Sequence, residues 1–202
     1  MDTKRTSIGG GPGIDVIILA GGHNSRMGGR DKAQLERDGL RFIDCIVAEL
    51  RSHYEVSEIV VVTPREFTLP EGVVRTCEDP AFGGPVAGIA AGAAALRNTP
   101  GTRVLILAVD APDAARLLPA LSAALADSDV AVVRSTAGFL EPLCALWNKD
   151  SLLKALNTLP NTRDIAAKRL IAAAPQVVQV AGTGAEQDYD TPESLSRWRP
   201  EG

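Results

Sequence analysis

Short runs of Val, Ile and Leu alternate with helical patterns along the chain, and this alternation restricts the fold more than any other feature of the sequence. Residues 16–19 (Val-Ile-Ile-Leu) form an uninterrupted run of the kind expected for a strand buried on both faces. Phe42, Ile43, Ile46, Val47, Leu50 and Tyr54 repeat at helical spacing. Further strands are expected at 59–62, 73–77, 104–109, 130–133, 143–147 and 177–180, and helices at 85–96, 116–126, 151–156, 164–173 and 192–198. Helix 85–96 follows Gly83-Gly84, has Pro85 in its first turn, and carries Gly88 and Gly92 four residues apart, a spacing that would let it approach a sheet closely. Strands alternating with helices imply parallel pairing and right-handed crossovers. The expectation is a three-layer α/β/α domain around a mostly parallel sheet. Ligands of such sheets bind beyond the carboxyl ends of the strands, which directs attention to the loops after Leu19, Val62, Cys77 and Val109.

A chain of 202 residues suits one domain with its own core, and no repeat or linker divides it. Residues 14–198 are read as that domain. Residues 1–13, rich in Gly, Ser and Thr and without an apolar segment, are read as a flexible tail and not as a secretory signal. Aromatic residues make up only 4%, so the core must be built from Ala, Val, Leu and Ile. The net charge of -4 argues against a nucleic-acid surface. Positive charge is nevertheless concentrated locally, because Arg26, Arg30 and Lys32 fall within seven residues. Cys45, Cys77 and Cys144 lie far apart, without metal-ligand spacing, and read as reduced thiols of a cytoplasmic protein. No apolar run is long enough to span a bilayer.

The segment 19–32 reads Leu-Ala-Gly-Gly-His-Asn-Ser-Arg-Met-Gly-Gly-Arg-Asp-Lys and leaves the first strand directly. Its glycines let the backbone approach a ligand and point N–H groups at an anion. Arg26 can grip phosphate in bidentate fashion, and Lys32 can act on it as a point charge. A Walker A loop is excluded, because Lys32 follows Asp31 and precedes Ala33. The Gly-x-Gly-x-x-Gly fingerprint has no match in the segment.

This segment resembles the signature of nucleotidyltransferases that move a nucleoside monophosphate from a triphosphate onto a phosphorylated acceptor. Within that superfamily it is most similar to the molybdenum cofactor guanylyltransferases, whose Leu-Ala-Gly-Gly, Arg-Met-Gly-Gly and Asp-Lys pieces stand here at 19–22, 26–29 and 31–32. The similarity continues at Glu78-Asp79, at 84–88 (Gly-Pro-Val-Ala-Gly), at Asp110 and at 190–193. It implies a Rossmann-like, nucleotide-diphospho-sugar-transferase-like fold. It also implies transfer of GMP from GTP to the terminal phosphate of molybdopterin, with Mg²⁺ as cofactor and pyrophosphate released. Leu19, Ala20, Gly21, Gly22, Lys32, Thr63, Asp79, Gly84 and Asp110 would then hold the nucleotide, and Arg26, Lys32 and Asp110 would carry catalysis. Transient contact with proteins that supply or receive the cofactor is implied as well. Two other readings stay open: a cytidylyl, uridylyl or guanylyl transferase with another acceptor, and a nucleotide-binding module without turnover.

The carboxylates support a metal on chemical grounds. Asp110 ends the run 104–109 beside the phosphate loop, and Mg²⁺ takes one or two carboxylates plus substrate phosphates; a turn-forming Asp is the competing explanation. Asp190 matches the position of a second metal-side residue in the family, where Asn is common. It could equally, with Asp188, favour the N-terminus of the helix that Thr191 would cap. Asp113 reads as a helix cap. Asp79, with Glu78 beside it, could accept from guanine N1–H and the 2-amino group, a pair that adenine lacks. Thr63 stands where the family commonly has Asn. His23 and His53 read as exposed residues. Arg163, Lys168 and Arg169 read as a basic helix face, solvated or facing an acceptor phosphate.

Overall fold

The computed structural model describes residues 13–21, 32–37 and 39–198. The element order is β1 (Ile14–Leu19), β2 (Glu36–Arg37), β3 (Leu40–Arg41), α1 (Phe42–His53), β4 (Val56–Val62), β5 (Val74–Thr76), α2 (Pro85–Ala95), β6 (Arg103–Ala108), α3 (Leu118–Leu125), β7 (Val130–Arg134), β8 (Leu140–Asn148), α4 (Lys149–Thr158), α5 (Ala167–Ala172), β9 (Val177–Ala181) and α6 (Pro192–Leu195). A seven-stranded sheet runs in the order β5-β4-β1-β6-β8-β7-β9, and β2 and β3 form a separate small hairpin.

Within the seven-stranded sheet the pairings are parallel except where β8 runs antiparallel to both β6 and β7. The cause is the β7–β8 connection. Residues 135–139 are too few for a crossover, so the chain must turn back as a hairpin.

Each face of the sheet has its own core. Ile14, Val16 and Ile18 of β1 pack with α1, α3 and Trp198 on one side, while Ile17 and Leu19 pack with α2, α4 and α5 on the other. Every residue of β1 is buried, which accounts for the unbroken apolar run at 16–19.

The approach of α2 to the sheet depends on its glycines. A Cβ placed on Gly92 would fall 2.8 Å from Ile17 Cγ2, and one on Gly88 would fall 3.1 Å from Leu19 Cδ2. Ile17 is fully buried and β-branched, so it has no room to yield. Gly92→Ala is therefore expected to destabilise the fold by about 1–3 kcal/mol despite alanine's better helix propensity. Chemical denaturation measures this, and a stabilised variant would contradict the packing described.

At the amino end of β1, Asp15 is fully buried and accepts from Lys149 Nζ at 2.9 Å and from the Thr99 hydroxyl. Lys149 also donates to the Thr99 carbonyl at 3.0 Å. This ion pair ties β1, the segment before β6 and the start of α4 together, at the end of the sheet opposite Leu19.

Three local expectations change. The helix expected at 164–173 begins only at Ala167, because Asp164 has φ +57° and gives its N–H to the Gly83 carbonyl at 2.7 Å. The expected helix 116–126 is a 3-10 turn, Ala114–Leu117, followed by α3. Asp113 precedes that turn but does not cap it; its carboxylate takes the Trp198 indole N–H at 3.2 Å and pairs with Arg116 at 3.4 Å. Thr191 does cap α6, accepting the Ser194 N–H at 3.1 Å.

Candidate active site

The strand order reverses direction around β1, which lies between β4 and β6. A crevice opens beyond the carboxyl ends of strands at such a point. The end of β1 is fixed from both sides: the Ala20 N–H donates to the Val62 carbonyl at 2.9 Å, and the Val109 N–H donates to the Leu19 carbonyl at 3.0 Å.

Two cavities meet here. The first, of about 430 Å³, is lined by Leu19, Ala20 and Gly21 from the end of β1, and by Glu78, Phe82 and Gly84 across from them. Val62, Pro85, Gly88 and Leu143 make the rest of its wall largely apolar. The second, of about 700 Å³, carries more charged side chains; Ser135, Glu141, Lys168, Glu186 and Asp188 are among its lining residues. Ala108, Asp110 and Leu143 line both. A carboxylate thus stands where the two cavities join, at the turn that ends β6.

The segment that follows β9 is pinned to this point. The Tyr189 N–H donates to the Asp110 carbonyl at 2.8 Å, and the Tyr189 ring packs near Phe42 and Trp198. Asp188 lines the second cavity, whereas Asp190 is half-buried and lines neither. Among the described residues no group of three or more His, Cys, Asp or Glu side chains could hold a metal by itself.

The loop before α2 places Glu78, not Asp79, on the cavity wall. Asp79 is exposed. Glu78 Oε1 accepts the Gly83 N–H at 3.2 Å, and a Cβ on Gly88 would lie 4.0 Å from Glu78 Oε2. The carboxylate therefore hangs over the glycine floor of the first cavity. Gly84 has φ +86°, a conformation that favours glycine, and its carbonyl accepts the Gly88 N–H at 3.1 Å to start α2. Thr63 is buried and lines neither cavity. Its N–H donates to Thr76 and its hydroxyl accepts the Arg65 N–H at 3.1 Å, so it joins β4 to β5.

Gly22, His23, Arg26 and Arg30 lie outside the described residues. Lys32 opens a 3-10 turn, Lys32–Gln34, that is anchored by the buried Ala33. Arg163 is not on a helix face; it lies in the loop before α5 and donates to the Pro80 carbonyl at 3.2 Å. Lys168 does reach the second cavity.

The thiols are poorly suited to nucleophilic work. Burial, reinforced by Glu78 and Asp79, raises the Cys77 pKa, and burial pushes the Cys144 thiol up to about 12.

The model of the MobA-like NTP transferase domain matches residues 16–179. The chain belongs to the MobA-like NTP transferase family. It is 28% identical over 195 residues to the molybdenum cofactor guanylyltransferase of Desulfosudis oleivorans, covering 90% of this chain and 95% of that one. To the enzyme of the same name from Vibrio atlanticus it is 31% identical over 141 residues, 68% of this chain and 70% of the other. Among solved structures, the molybdopterin-guanine dinucleotide biosynthesis protein A of Archaeoglobus fulgidus shares the fold, with a TM-score of 0.64 at 18% identity over 91% of this chain and 95% of that one. Family membership makes the chain a nucleotidyltransferase of single-domain α/β architecture, and the expectation drawn from residues 19–32 agrees with it.

Proposed function

We propose that the chain transfers GMP from GTP to the terminal phosphate of molybdopterin and releases pyrophosphate, in the cytoplasm and with Mg²⁺ as its cofactor. The observation that carries the reading is the position of Asp110 at the junction of two cavities: one with Glu78 on its wall, the other larger and with Lys168 and further carboxylates in its lining. The names of the relatives in Desulfosudis and Vibrio support the base and the acceptor. Among the described residues no helix is long and apolar enough to cross a membrane, and all three cysteines are free thiols.

The oxygen-only donor set suits a hard cation. Asp110 would hold Mg²⁺ with help from Asp188 or Asp190, whose segment is pinned to the Asp110 carbonyl. When bound, the ion supplies positive charge to the phosphate oxygens as the transfer proceeds.

The chain's own groups do the rest. Leu19, Val62 and Phe82 enclose the base, and Glu78 accepts from guanine N1–H and the 2-amino group. Backbone from Ala20 to Gly22, with Arg26 and Lys32, holds the phosphates of GTP. Lys168 draws the acceptor phosphate into the second cavity. An acceptor phosphate oxygen then attacks the α-phosphorus in line, and the α–β phosphoanhydride bond breaks. The nucleophile is already an anion, so no general base is required, and catalysis rests on positioning and charge neutralisation.

Glu78 gives the test of base selection. Glu78→Gln is expected to reduce the preference for GTP over ATP about tenfold, the value of one charged hydrogen bond. Asp79→Asn should change that preference less than about threefold. Calorimetric titration of both variants with both nucleotides measures this. A larger loss at Asp79, or a wild-type chain that binds CTP most tightly, would overturn the guanine reading.

A further inference from the structure

Phe139 is 70% exposed, the highest value among the large apolar side chains described as exposed, yet its turn is fastened by several hydrogen bonds. The Ser135 N–H donates to the Phe139 carbonyl at 2.8 Å, and the Phe139 N–H donates to the Ser135 hydroxyl at 3.3 Å. The Gly138 N–H closes back on the Ser135 carbonyl at 2.8 Å, with Gly138 at φ +87°. Arg134 holds the tip from outside, donating to the Gly138 carbonyl and to Gln179 Oε1.

The register explains where this turn goes. Val132 faces Ala145 but Val133 faces Glu141, so residues 142–144 bulge from the hairpin, and Leu143 at their centre lines both cavities. Strand β8 pairs with β6 only from Cys144 onward. Leu140 and Glu141 therefore run past the end of β6, beside Asp110, and carry Phe139 to the wall of the second cavity.

The rest of that cavity sets charged side chains among apolar ones, with Lys168 on the α5 side and Glu186 and Asp188 on the segment after β9. A solvent-facing aromatic ring carried on a pinned backbone turn gains little from packing within the chain. It offers a flat face to a planar ligand at little cost in conformational entropy.

We propose that Phe139 is the platform on which the planar pyrimidinone ring of the acceptor stacks. The inference rests on the acceptor assigned above and adds the residue that holds the acceptor's ring. Phe139 touches no reacting atom. It sets how the far end of the acceptor is held while the phosphate lies near Asp110.

The test is steady-state GMP transfer from GTP to molybdopterin, comparing wild type with Phe139→Ala, Phe139→Leu and Phe139→Trp. Base–aromatic stacking corresponds to roughly a ten- to hundredfold change on truncation to alanine. Phe139→Ala and Phe139→Leu are expected to raise the acceptor KM at least about tenfold, with the KM for GTP and the kcat at saturating acceptor changed less than about twofold. Phe139→Trp should keep the acceptor KM near wild type. The side chain is mostly solvent-exposed, so these changes leave the core intact. An unchanged acceptor KM in Phe139→Ala, or full rescue by leucine, overturns the stacking role while the transfer reading stands. No transfer by the wild-type chain overturns that reading and this inference together.

Discussion

Asp110→Asn is expected to lower kcat/KM for nucleotidyl transfer by at least about a hundredfold, close to 3 kcal/mol of transition-state stabilisation. The reason is geometric. Asp110 is the carboxylate shared by both cavities, so under the proposed function it alone of the lining carboxylates would face nucleotide and acceptor together. Its side chain stands in the turn after β6, outside the apolar core, while its backbone carbonyl still receives the Tyr189 N–H in the variant. The fold should therefore survive, with a thermal midpoint within about 3 °C of wild type. Coupled pyrophosphate assays together with a melting curve separate the two effects. A variant that is inactive because it is unfolded, or one that turns over near the wild-type rate, would remove Asp110 from the centre of the mechanism.

Lys149→Met should have the largest effect on stability. Asp15 is fully buried, and the lysine ammonium is its charged partner at 2.9 Å; the second carboxylate oxygen has no hydrogen-bond partner among the described residues. Removing the lysine leaves a buried carboxylate with only the Thr99 hydroxyl, at a cost of about 3–5 kcal/mol. For a chain of this size that is a fall of roughly 10 °C in Tm. Pairing the change with Asp15→Asn should recover a good part of the loss, because the uncompensated charge goes with it. The pair sits at the end of the sheet away from Asp110, so the folded fraction should keep its KM values. A Tm within about 2 °C of wild type for Lys149→Met would mean that the ion pair contributes little.

The sheet and its helices were legible in the sequence wherever a strand is buried on both faces or a helix shows one apolar side. β1, β4, β6 and α1 are of that kind, and they also deliver the carboxyl ends that build the site. The direction of β8 was not read from the alternation of strands and helices, although the short interval before it allows only a hairpin. The start of α5 was missed for a tertiary reason: residues 164–166 have a helix-compatible pattern, but the Asp164 N–H is claimed by Gly83, which leaves Asp164 left-handed.

The candidate site divides in a similar way. Leu19, Ala20, Gly21, Gly84 and Asp110 lie at strand ends or helix starts, positions that periodicity fixes, and all of them line the first cavity. Glu78 and Asp79 are adjacent in a loop, where no periodicity decides which faces inward; the Gly83 N–H and the glycine floor at Gly88 decide it in the folded chain. Thr63 and Asp113 look like site or cap residues in one dimension and spend their polar atoms on Thr76, Arg65 and Trp198 in three. Phe139 left no trace as a site residue, because its placement depends on a bulge in β8 that local patterning does not reveal.

Guanylyl transfer to a phosphorylated pterin is tested by pyrophosphate release from a panel of GTP, ATP, CTP and UTP, each with and without molybdopterin and Mg²⁺. Release with GTP is expected to be at least about tenfold faster than with any other triphosphate, dependent on both the pterin and the metal, and accompanied by a GMP–pterin product. Faster release with CTP, or release that does not require the pterin, would contradict guanylyl transfer.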